Sequence, residues 1–245
     1  IKIDKRFYWL MNLVILTTDT SHHRYFLQKI SKNFKIDAIF FETTSIQPKF
    51  DTFANFHKLE KKYEDDNFFN EVQNSIPSVP THFYSNINDD EAILKLRSYN
   101  SDIGIVFGTR KLQPNIITCF SNILMNIHRG IIQSYRGLDS DLWAIYNRDF
   151  KNIGVTIHKV DKDIDTGKII SQEKMQINKG TELFHIRYLT TILATSMITK
   201  ILSEIVNNNN LILRENKGSD YYSFMDSEKK RIVERIFKNH KRSIR

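Results

Sequence analysis

Two side chains in the middle of the sequence have the types and the spacing for chemistry at a carbonyl group. Asn126 and His128 end the segment 124–128, Leu-Met-Asn-Ile-His, which predicts a buried strand. Because side chains alternate across a strand, both would lie on the same face. An amide donor and an imidazole on one face could bind one small carbonyl group between them. A histidine at a strand end is more often a structural hydrogen-bonding group, so the spacing permits catalysis without establishing it.

A longer polar segment further along the chain also stands out. Asp165 belongs to an Asp-Thr-Gly triplet that ends the segment 154–167, Gly-Val-Thr-Ile-His-Lys-Val-Asp-Lys-Asp-Ile-Asp-Thr-Gly. Aspartic proteases contain the same triplet, but their chemistry requires two carboxylates that share a site, on an all-β scaffold. The sequence has no second copy and its pattern is α/β, which excludes that class. The triplet therefore does not identify a protease, and His158, before the predicted turn, is predicted to be structural.

Alternating strands and helices must position these groups. The apolar segment 12–17 predicts a strand, residues 22–33 a helix capped by Asp19 or Ser21, and residues 36–42 a second strand. Strand, helix and strand in succession form a βαβ unit, which predicts a doubly wound, mainly parallel α/β sheet. In such a sheet, side chains at the carboxyl ends of the strands line the ligand crevice. The same alternation predicts strands at 103–107, 124–128 and 155–160, and helices at 91–98, from 114 onward and at 140–147.

The remaining segments predict further helices and a C-terminal extension. A charged helix is predicted within 50–72, and the prolines of 77–81 predict a connector after it. Residues 181–207 predict a long helix that packs against the sheet, because its apolar residues recur at three and four positions. We therefore expect a catalytic domain over residues 1–207. A short C-terminal extension over residues 208–245 would supply a strand or an extended segment and a terminal basic helix.

The composition favours a packed globular protein. Of the 245 residues, 40% are hydrophobic, which suffices for one substantial core and excludes bulk disorder. The single cysteine, Cys119, lies in an apolar segment and predicts a buried thiol in a reducing compartment, so we expect a cytoplasmic location. No apolar run reaches the ~20 residues that span a bilayer. Residues 7–17 predict a buried strand rather than a signal peptide, and Met11 could be the natural start, with residues 1–10 as an extension.

The chain is basic, with a formal net charge of +8, and eight of its lysines and arginines lie within 229–245. A positive surface attracts phosphates, whether in nucleic acids, nucleotide-linked small molecules or polyglutamylated cofactors. A solvated helix face with a basic tail accounts for the same residues. The tail has no interleaved aromatic residues of the kind that stack on bases, so charge alone identifies no partner.

Three motifs together resemble one protein family. The motifs are Asn-Ile-His-Arg-Gly-Ile-Ile-Gln-Ser-Tyr-Arg-Gly at 126–137, Trp-Ala-Ile at 143–145, and the segment 154–167 quoted above. In order and spacing they resemble the folate-dependent formyltransferases, which include the glycinamide ribonucleotide, methionyl-tRNA and sugar-nucleotide formyltransferases. The resemblance is strong over about 102–170, and it is weaker over 11–42 and 181–205.

The resemblance implies a Rossmann-like catalytic domain that takes N10-formyltetrahydrofolate as formyl donor. The catalytic Asn, His and Asp of the family fall on Asn126, His128 and Asp165. In the implied reaction an amine attacks the formyl carbon, and hydrogen-bond donors stabilise the resulting oxyanion, so neither a metal nor a covalent nucleophile is required. The loop 106–114 corresponds to the stretch that lines the pterin pocket. The implied cofactor-binding residues are Phe107, Gly108, Arg110, Lys111, Leu112, Asp161 and Ile164.

The sequence departs from the family pattern near the acceptor side. Relatives carry Pro-Ser after the histidine, where this chain has Arg129 and Gly130, and the first βα turn lacks the Gly-Asn-Gly-Ser phosphate loop of the purine enzymes. The basic residues that begin the first helix could contact an anionic acceptor instead, or they could be an ordinary surface of that helix. A metal at the adjacent histidines is not expected, because neighbouring helical side chains diverge. The expected substrate-binding residues are His22, His23, Arg24, Arg129, Tyr135 and Arg136.

The acceptor is inferred by elimination. The methionyl-tRNA enzymes have a carboxyl-terminal barrel domain, the related deformylases have an amino-terminal regulatory domain, and the purine enzymes have the phosphate loop. Each feature is missing from this sequence, so we expect an amino-sugar acceptor, nucleotide-linked and destined for a bacterial surface polysaccharide. We expect no nucleic-acid or membrane partner, and a homodimer is compatible with the apolar helix. The alternatives are another amine of the family, or a non-catalytic basic α/β module that binds nucleic acid.

Overall fold

A computed structural model describes residues 11–69 and 74–244 of the chain. The possible extension at 1–10 and the first residues of the apolar segment 7–17 lie outside the described residues, as does the end of the range 50–72.

The chain alternates strands and helices along most of its length. The elements are β1 (Leu13–Thr17), α1 (Ser21–Asn33), β2 (Ala38–Glu42), α2 (Phe56–Phe68), β3 (Thr81–Tyr84), α3 (Asp90–Arg97), β4 (Ile103–Phe107), α4 (Pro114–Ile117), β5 (Ile123–His128), β6 (Arg136–Gly137), α5 (Ser140–Tyr146), β7 (Gly154–Lys159), β8 (Ile169–Lys174), α6 (Ile186–Val206), β9 (Tyr221–Tyr222) and α7 (Ser227–Ser243). Seven strands form one sheet in the order β3-β2-β1-β4-β5-β7-β8. Only the pairings of β7 with β5 and β8 are antiparallel. This confirms the predicted Rossmann-like, mainly parallel α/β sheet.

The central strands are buried on both faces, which is why they read as unbroken apolar segments. Every residue of β1 and β2 is buried. One face of the sheet packs against α1 and α6, and the other against α3 and α4. Two covered faces leave no polar side to the strand, so the alternation that marks a half-exposed strand disappears. Because β1, β4 and β5 are parallel to one another, their carboxyl ends meet at one edge of the sheet, where the candidate site lies.

Two strands of the seven-stranded sheet were not predicted. β3 follows the prolines of the predicted connector, and β8 follows the Asp-Thr-Gly turn. Both occupy outer positions of the sheet, and β8 contains the polar residues Ser171, Gln172, Glu173 and Lys174. At an edge, hydrogen bonding to the neighbouring strand stabilises the extended conformation without much apolar burial. The local sequence therefore carries little of the signal.

Helix beginnings differ from the predictions in detail. The N-cap of α1 is Thr20 rather than Asp19 or Ser21: its backbone is extended, and its side chain makes no capping hydrogen bond but lies 2.9 Å from His23 Nδ1. The long helix predicted from Thr181 opens as a 3-10 turn, Leu183–His185, in which the side chains of Glu182 and His185 form a reciprocal capping box. α4 is a single turn, and Cys119, beyond it, is half-buried rather than fully buried.

The apolar helix near the end of the sheet is part of the core. The segment Leu183–Val206 has 24 residues and is long and apolar enough to cross a membrane by length and composition alone. Within the fold it packs against α1 and β7, and Ala194, Ile198 and Leu202 are fully buried. The sheet therefore accounts for its apolar composition.

The C-terminal residues pack directly on the region around α5. β9 pairs with β6, and Val233 and Phe237 of α7 are buried in the same cluster as Ile145 of α5. Lys230 is also buried, and its Nζ lies 3.3 Å from Asp139 Oδ2, just before α5. The predicted terminal helix is present, and of the two predicted alternatives, a strand or an extended segment, the short strand β9 occurs. The domain boundary at residue 207 stays a prediction.

We predict that Gly137→Ala destabilises the chain by about 1–3 kcal/mol, because an alanine would be strained and would clash. Gly137 has a φ of +98°, and a Cβ there would lie 2.2 Å from the Tyr222 carbonyl oxygen of β9. Urea unfolding measures the change. Gly218→Ala is the control for strain alone, since its φ is +74° and no atom lies within 4 Å of the added Cβ. Equal losses in the two variants would contradict tight packing of β9 on β6.

Candidate active site

The three predicted catalytic side chains converge at the carboxyl end of β5. Asn126 and His128 lie on the same face of the strand, and the loop after β7 brings Asp165 to them. Asn126 Nδ2 donates to Asp165 Oδ1 at 3.3 Å, and His128 Nδ1 lies 3.2 Å from Asp165 Oδ2. Each carboxylate oxygen thus faces one of the other two groups. Asn126 is half-buried, whereas His128 and Asp165 are each 6% exposed.

His128 is placed to carry a positive charge. Its Nδ1 faces the Asp165 carboxylate and its Nε2 lies 3.0 Å from the Tyr135 carbonyl oxygen, so both ring nitrogens have acceptors as partners. An imidazole can donate from both nitrogens only when protonated. Burial alone would lower the pKa of His128, but the Asp165 charge, its hydrogen bond and the Tyr135 carbonyl together raise it above 6.5. The site therefore favours the imidazolium form.

Asp165 is held as a carboxylate by several groups. Its Oδ2 accepts a hydrogen bond of 2.8 Å from the Gly137 backbone N–H, in the motif Tyr-Arg-Gly. Although burial opposes ionisation, the charges and hydrogen bonds of His128 and His158 outweigh it and lower the pKa of Asp165 well below its usual range. Asp165 itself has a φ of +53°, in the left-handed region that few residues other than glycine adopt.

His158, which was predicted to be structural, lies within this group. β5 and β7 are antiparallel with Asn126 opposite His158, and His158 Nε2 lies 3.1 Å from both Asn126 Nδ2 and Asp165 Oδ1. Its Nδ1 donates to the Lys159 carbonyl oxygen at 2.9 Å. The ring therefore supports both the amide and the carboxylate. Only the antiparallel register, which the sequence pattern does not specify, could have identified it.

The predicted cofactor-binding residues lie on two loops beside this group. Phe107 and Leu112 are buried in the core, so their main-chain groups alone are available to a ligand. The loop after β4 is tied to the loop after β7 by Lys111, whose Nζ lies 3.2 Å from Asp163 Oδ1. Asp161 is exposed on the second loop, and the half-buried Ile164 accepts a hydrogen bond at its carbonyl oxygen from Arg136. The loop after β4 and the loop after β7 therefore form adjacent walls of the candidate cofactor site.

Arg110 acts as a tether in this loop. Its guanidinium group forms an ion pair with the buried Glu42 at the end of β2, and its Nη2 donates to the Thr44 carbonyl oxygen at 2.9 Å. The Glu42 carboxylate also accepts from the backbone N–H of Arg110 at 2.8 Å. Gly108 has a φ of +87°, and a Cβ there would lie 2.6 Å from His23 Nε2. The loop is thus held at both of its ends.

The histidines at the start of α1 lie closer together than expected. His22 and His23 are buried, and their ring centroids are 4.1 Å apart, which contradicts the expectation that they diverge. Burial, followed by nearby positive charges that include Arg129 and Arg187, lowers the pKa of both rings well below 6.5. They are therefore neutral hydrogen-bonding groups rather than cations. No group of three or more potential metal ligands occurs within 11–69 and 74–244.

The other predicted substrate-binding residues have different surroundings. Arg24 pairs with Asp19, with Nε 2.6 Å from Oδ1, so its charge is already balanced. Tyr135 is buried, and its hydroxyl group lies 3.3 Å from Asp149 Oδ2. Tyr135 contributes its backbone carbonyl oxygen to the site, where it accepts a hydrogen bond from His128 Nε2. Arg129 is half-buried directly after His128, and Arg136 lies at the edge of the Asp165 loop.

A buried ion cluster joins α2 to α6 beside the histidines. Arg187 Nε and Nη2 donate to Glu64 at 2.6 and 3.0 Å, and Arg187 Nη1 lies 3.1 Å from Glu60 Oε2. Both carboxylates are buried. Burial raises the pKa of Glu60 from 4.5 to about 7, although Arg187 opposes the rise. One guanidinium group thus holds two carboxylates in place.

An open cleft of about 490 Å³ lies next to this cluster. It is bordered by the first turn of α1, by α2 and by the start of α6, and Glu64, His22 and Arg187 form part of its wall. Asn126, His128 and Asp165 are not among its lining residues. The cleft is within the size range of small-molecule sites. It provides a mixed wall of charged and neutral polar groups on the α1 side of the site.

Comparison with known proteins agrees with the motifs. The protein-family model described as formyl transferase matches residues 11–188. A methionyl-tRNA formyltransferase of Flavobacterium psychrophilum is 28% identical over 137 residues, which cover 56% of this chain and 43% of that protein. One of Azobacteroides pseudotrichonymphae is 34% identical over 124 residues, which cover 49% of this chain and 38% of that protein. The chain thus spans less than half the length of these curated relatives.

Solved structures share the fold over most of the chain. A sugar N-formyltransferase from a Shewanella species has a TM-score of 0.60 at 15% identity, with 87% of this chain and 77% of that chain covered. A 4-N formyltransferase from Francisella tularensis has a TM-score of 0.59 at 20% identity, with 91% and 86% covered. HypX from Aquifex aeolicus in complex with tetrahydrofolic acid has a TM-score of 0.59 at 13% identity, with 89% and 30% covered.

Proposed function

Since the chain belongs to the formyl transferase family, we propose that it moves a formyl group from N10-formyltetrahydrofolate to an amine, with Asn126, His128 and Asp165 as catalytic residues. The observation that carries this proposal is the convergence of an amide, an imidazolium and a carboxylate within 3.3 Å contacts at the carboxyl end of β5. The amide and the imidazolium are hydrogen-bond donors, and they suit an acyl transfer in which negative charge develops on the formyl oxygen.

Asn126 is the group best placed to bind that oxygen. Its side-chain nitrogen has two hydrogens, and it is half-buried whereas His128 and Asp165 are buried. One hydrogen meets the Asp165 carboxylate, and the other, beside His158 Nε2 at 3.1 Å, would turn to the formyl oxygen when the donor binds. A donor held by its neighbours before substrate arrives costs little reorganisation during the reaction.

His128 and Asp165 act on charge and protons. The His128 imidazolium stabilises the tetrahedral oxyanion at short range, and Asp165 keeps that ring charged and oriented. The attacking amine must lose a proton as the C–N bond forms. A water molecule held by the Asp165 carboxylate can relay this proton, because a carboxylate with so low a pKa orients the water without keeping the proton. The proton then reaches the departing nitrogen of tetrahydrofolate as the tetrahedral intermediate collapses.

The donor site is assigned to the two loops beside Asp165. The pterin would lie between the loop after β4 and the loop after β7, against Gly108, Arg110, Lys111, Asp161 and Ile164, with Phe107 and Leu112 supporting the wall from the core. When bound, N10-formyltetrahydrofolate supplies the activated formyl group. Lys111 is exposed at the entrance of this donor site, where its positive charge can attract the glutamate carboxylates of the folate.

The acceptor we propose is an amino sugar, nucleotide-linked and used in a surface polysaccharide. A cleft of about 490 Å³ beside the candidate site suits a small molecule. His22, Arg24 and Arg187 border it with hydrogen-bonding groups, and the positive charge of Arg129 acts on both His22 and His128. The fold similarity to sugar N-formyltransferases agrees with this acceptor.

The test is formyl transfer with a defined panel. The protein is mixed with N10-formyltetrahydrofolate and 4-amino-4,6-dideoxy sugar nucleotides, and tetrahydrofolate release and the mass of the product are followed. We expect formylation of at least one sugar amine. No turnover on any amine, together with salt-sensitive retention of DNA or RNA, would instead favour the nucleic-acid-binding alternative.

Methionyl-tRNA is the second candidate acceptor, because the curated relatives reported above are methionyl-tRNA formyltransferases. The same assay with charged initiator tRNA decides between the two. Glycinamide ribonucleotide belongs in the panel as the third family acceptor. A preference for tRNA would replace the sugar proposal without affecting the catalytic assignment.

We predict that kcat/KM falls as the pH rises through the pKa of His128. The Asp165 carboxylate helps raise that pKa above 6.5, so the charged ring is present below it and lost above it. Asp165→Asn removes the carboxylate and should move this alkaline limb to lower pH, in addition to lowering the rate. A pH profile between 5 and 10 measures both. An unchanged limb in Asp165→Asn would contradict the assignment of the limb to His128.

A further inference from the structure

The backbone of Asp165 adopts a conformation that its neighbours must maintain. Its φ of +53° lies in the left-handed region, which is unfavourable for residues with a side chain. The carboxylate is held by Gly137 from one side, as described above. A second contact holds the main chain, and it comes from the C-terminal extension.

Asn216 makes that second contact. Its side-chain Nδ2 donates to the Asp165 carbonyl oxygen at 3.0 Å, across 51 residues of sequence. Its Oδ1 accepts from the backbone N–H of Gly218 at 3.0 Å, so the amide is oriented by its own turn. Asn216 is half-buried although most residues around it are exposed. Both ends of the amide are therefore used, one to fix the turn and the other to reach the site.

The segment around Asn216 is attached to the site loops at several points. Arg214 forms an isolated bridge with Ile169, which follows the Asp165 turn. Ser219 Oγ donates to the Ile132 carbonyl oxygen at 2.7 Å, in the loop between His128 and Tyr135. β9 then pairs with β6, whose Gly137 donates to the Asp165 carboxylate. The segment thus connects the two loops that surround the candidate catalytic group.

We propose that Asn216 is a positioning residue for Asp165, so that the C-terminal extension completes the catalytic site. This inference rests on the proposed formyl transfer. The matched family region ends at residue 188, so this contact comes from a part of the chain beyond that match. By holding the Asp165 carbonyl oxygen, Asn216 keeps the carboxylate directed at His128 Nδ1. Displacement of a catalytic group by about 1 Å can cost on the order of 100-fold in rate.

The decisive variants are Asn216→Asp and Asn216→Ala. Asn216→Asp keeps the acceptor for Gly218 but loses the donor to Asp165, whereas Asn216→Ala loses both. We expect kcat to fall about tenfold in each, with KM for the amine changed less than twofold. Lys217→Ala, an exposed neighbour on the same segment, is the matched control and should retain the activity of the unmodified chain. Thermal melting of all variants reports on folding.

The pH profile separates positioning from a purely structural role. The charged groups that face His128 are Asp165 and Arg129, with His158 on the far side of Asp165. If Asp165 moves away in Asn216→Ala, the alkaline limb of kcat should shift to lower pH. A lower melting temperature with unchanged kcat and pH profile would overturn the proposal. An inactive unmodified chain would instead refute the proposed function, so the two failures are distinguishable.

Discussion

Replacing Asn126 with alanine is expected to lower kcat by about 10²–10³, with the melting temperature within a few degrees of that of the unmodified chain. The loss is that of one preorganised donor to a developing oxyanion. Asn126 is half-buried and its Nδ2 contacts are to Asp165 and His158, which still contact each other at 3.1 Å without it. The remaining network therefore keeps its internal partners. Steady-state kinetics and thermal melting measure the two quantities.

Two further substitutions make this prediction specific. Asn126→Asp has nearly the same shape but presents oxygen in place of the amide donor, so it should be as inactive as the alanine variant. Asn122→Ala changes an exposed asparagine just before β5 and should leave kcat unchanged. Unfolding of Asn126→Ala, or turnover close to that of the unmodified chain, would show that the side chain supports the strand rather than the reaction. His128→Ala should also lose nearly all turnover, since it removes the imidazolium charge.

Replacing Arg187 with methionine is expected to lower the free energy of unfolding by about 3–5 kcal/mol, because it leaves buried charges without a partner. Arg187 is the guanidinium group that binds Glu64 through two hydrogen bonds and also contacts Glu60. Methionine fills similar space but cannot donate. Urea unfolding at neutral pH measures the loss.

The loss of stability in Arg187→Met should depend on pH. Burial already raises the pKa of Glu60 to about 7, against 4.5 for the ordinary side chain, with Arg187 present to lower it. A carboxyl group with a raised folded pKa stabilises the fold below its unfolded pKa and loses that contribution as pH rises through the folded pKa. Arg187→Met should therefore be most destabilised near neutral pH and should recover part of its stability near pH 5.

A compensating variant tests the cause. Arg187→Met combined with Glu60→Gln and Glu64→Leu removes the unpaired charges, and replacement of a buried ion cluster by apolar groups is often neutral. We therefore expect most of the lost stability to return. Lys200→Met, which removes an exposed cation from the same helix, should have almost no effect. If the triple variant is no more stable than Arg187→Met, the loss is due to packing rather than to charge.

The sequence by itself determined the sheet and two of the three catalytic candidates on it. β1, β2, β4 and β5 are recognisable because strands covered on both faces must be apolar along their whole length. Asn126 and His128 could be placed on one face from the two-residue period of a strand. The order of the three motifs allowed Asp165 to be added by resemblance. These features are local, or depend on the spacing of a few residues.

Only the tertiary structure decided which distant groups meet. Arg187 and Glu64 are 123 residues apart, and His158 reaches Asn126 only through the antiparallel register of β5 and β7. The edge strands β3 and β8 depend on pairing to their neighbours rather than on apolar burial. Asp165 and Asn216 are 51 positions apart, and the sequence likewise gave no sign of their contact. Hydrogen bonds between distant segments depend on how the chain packs, and packing has no period along the sequence.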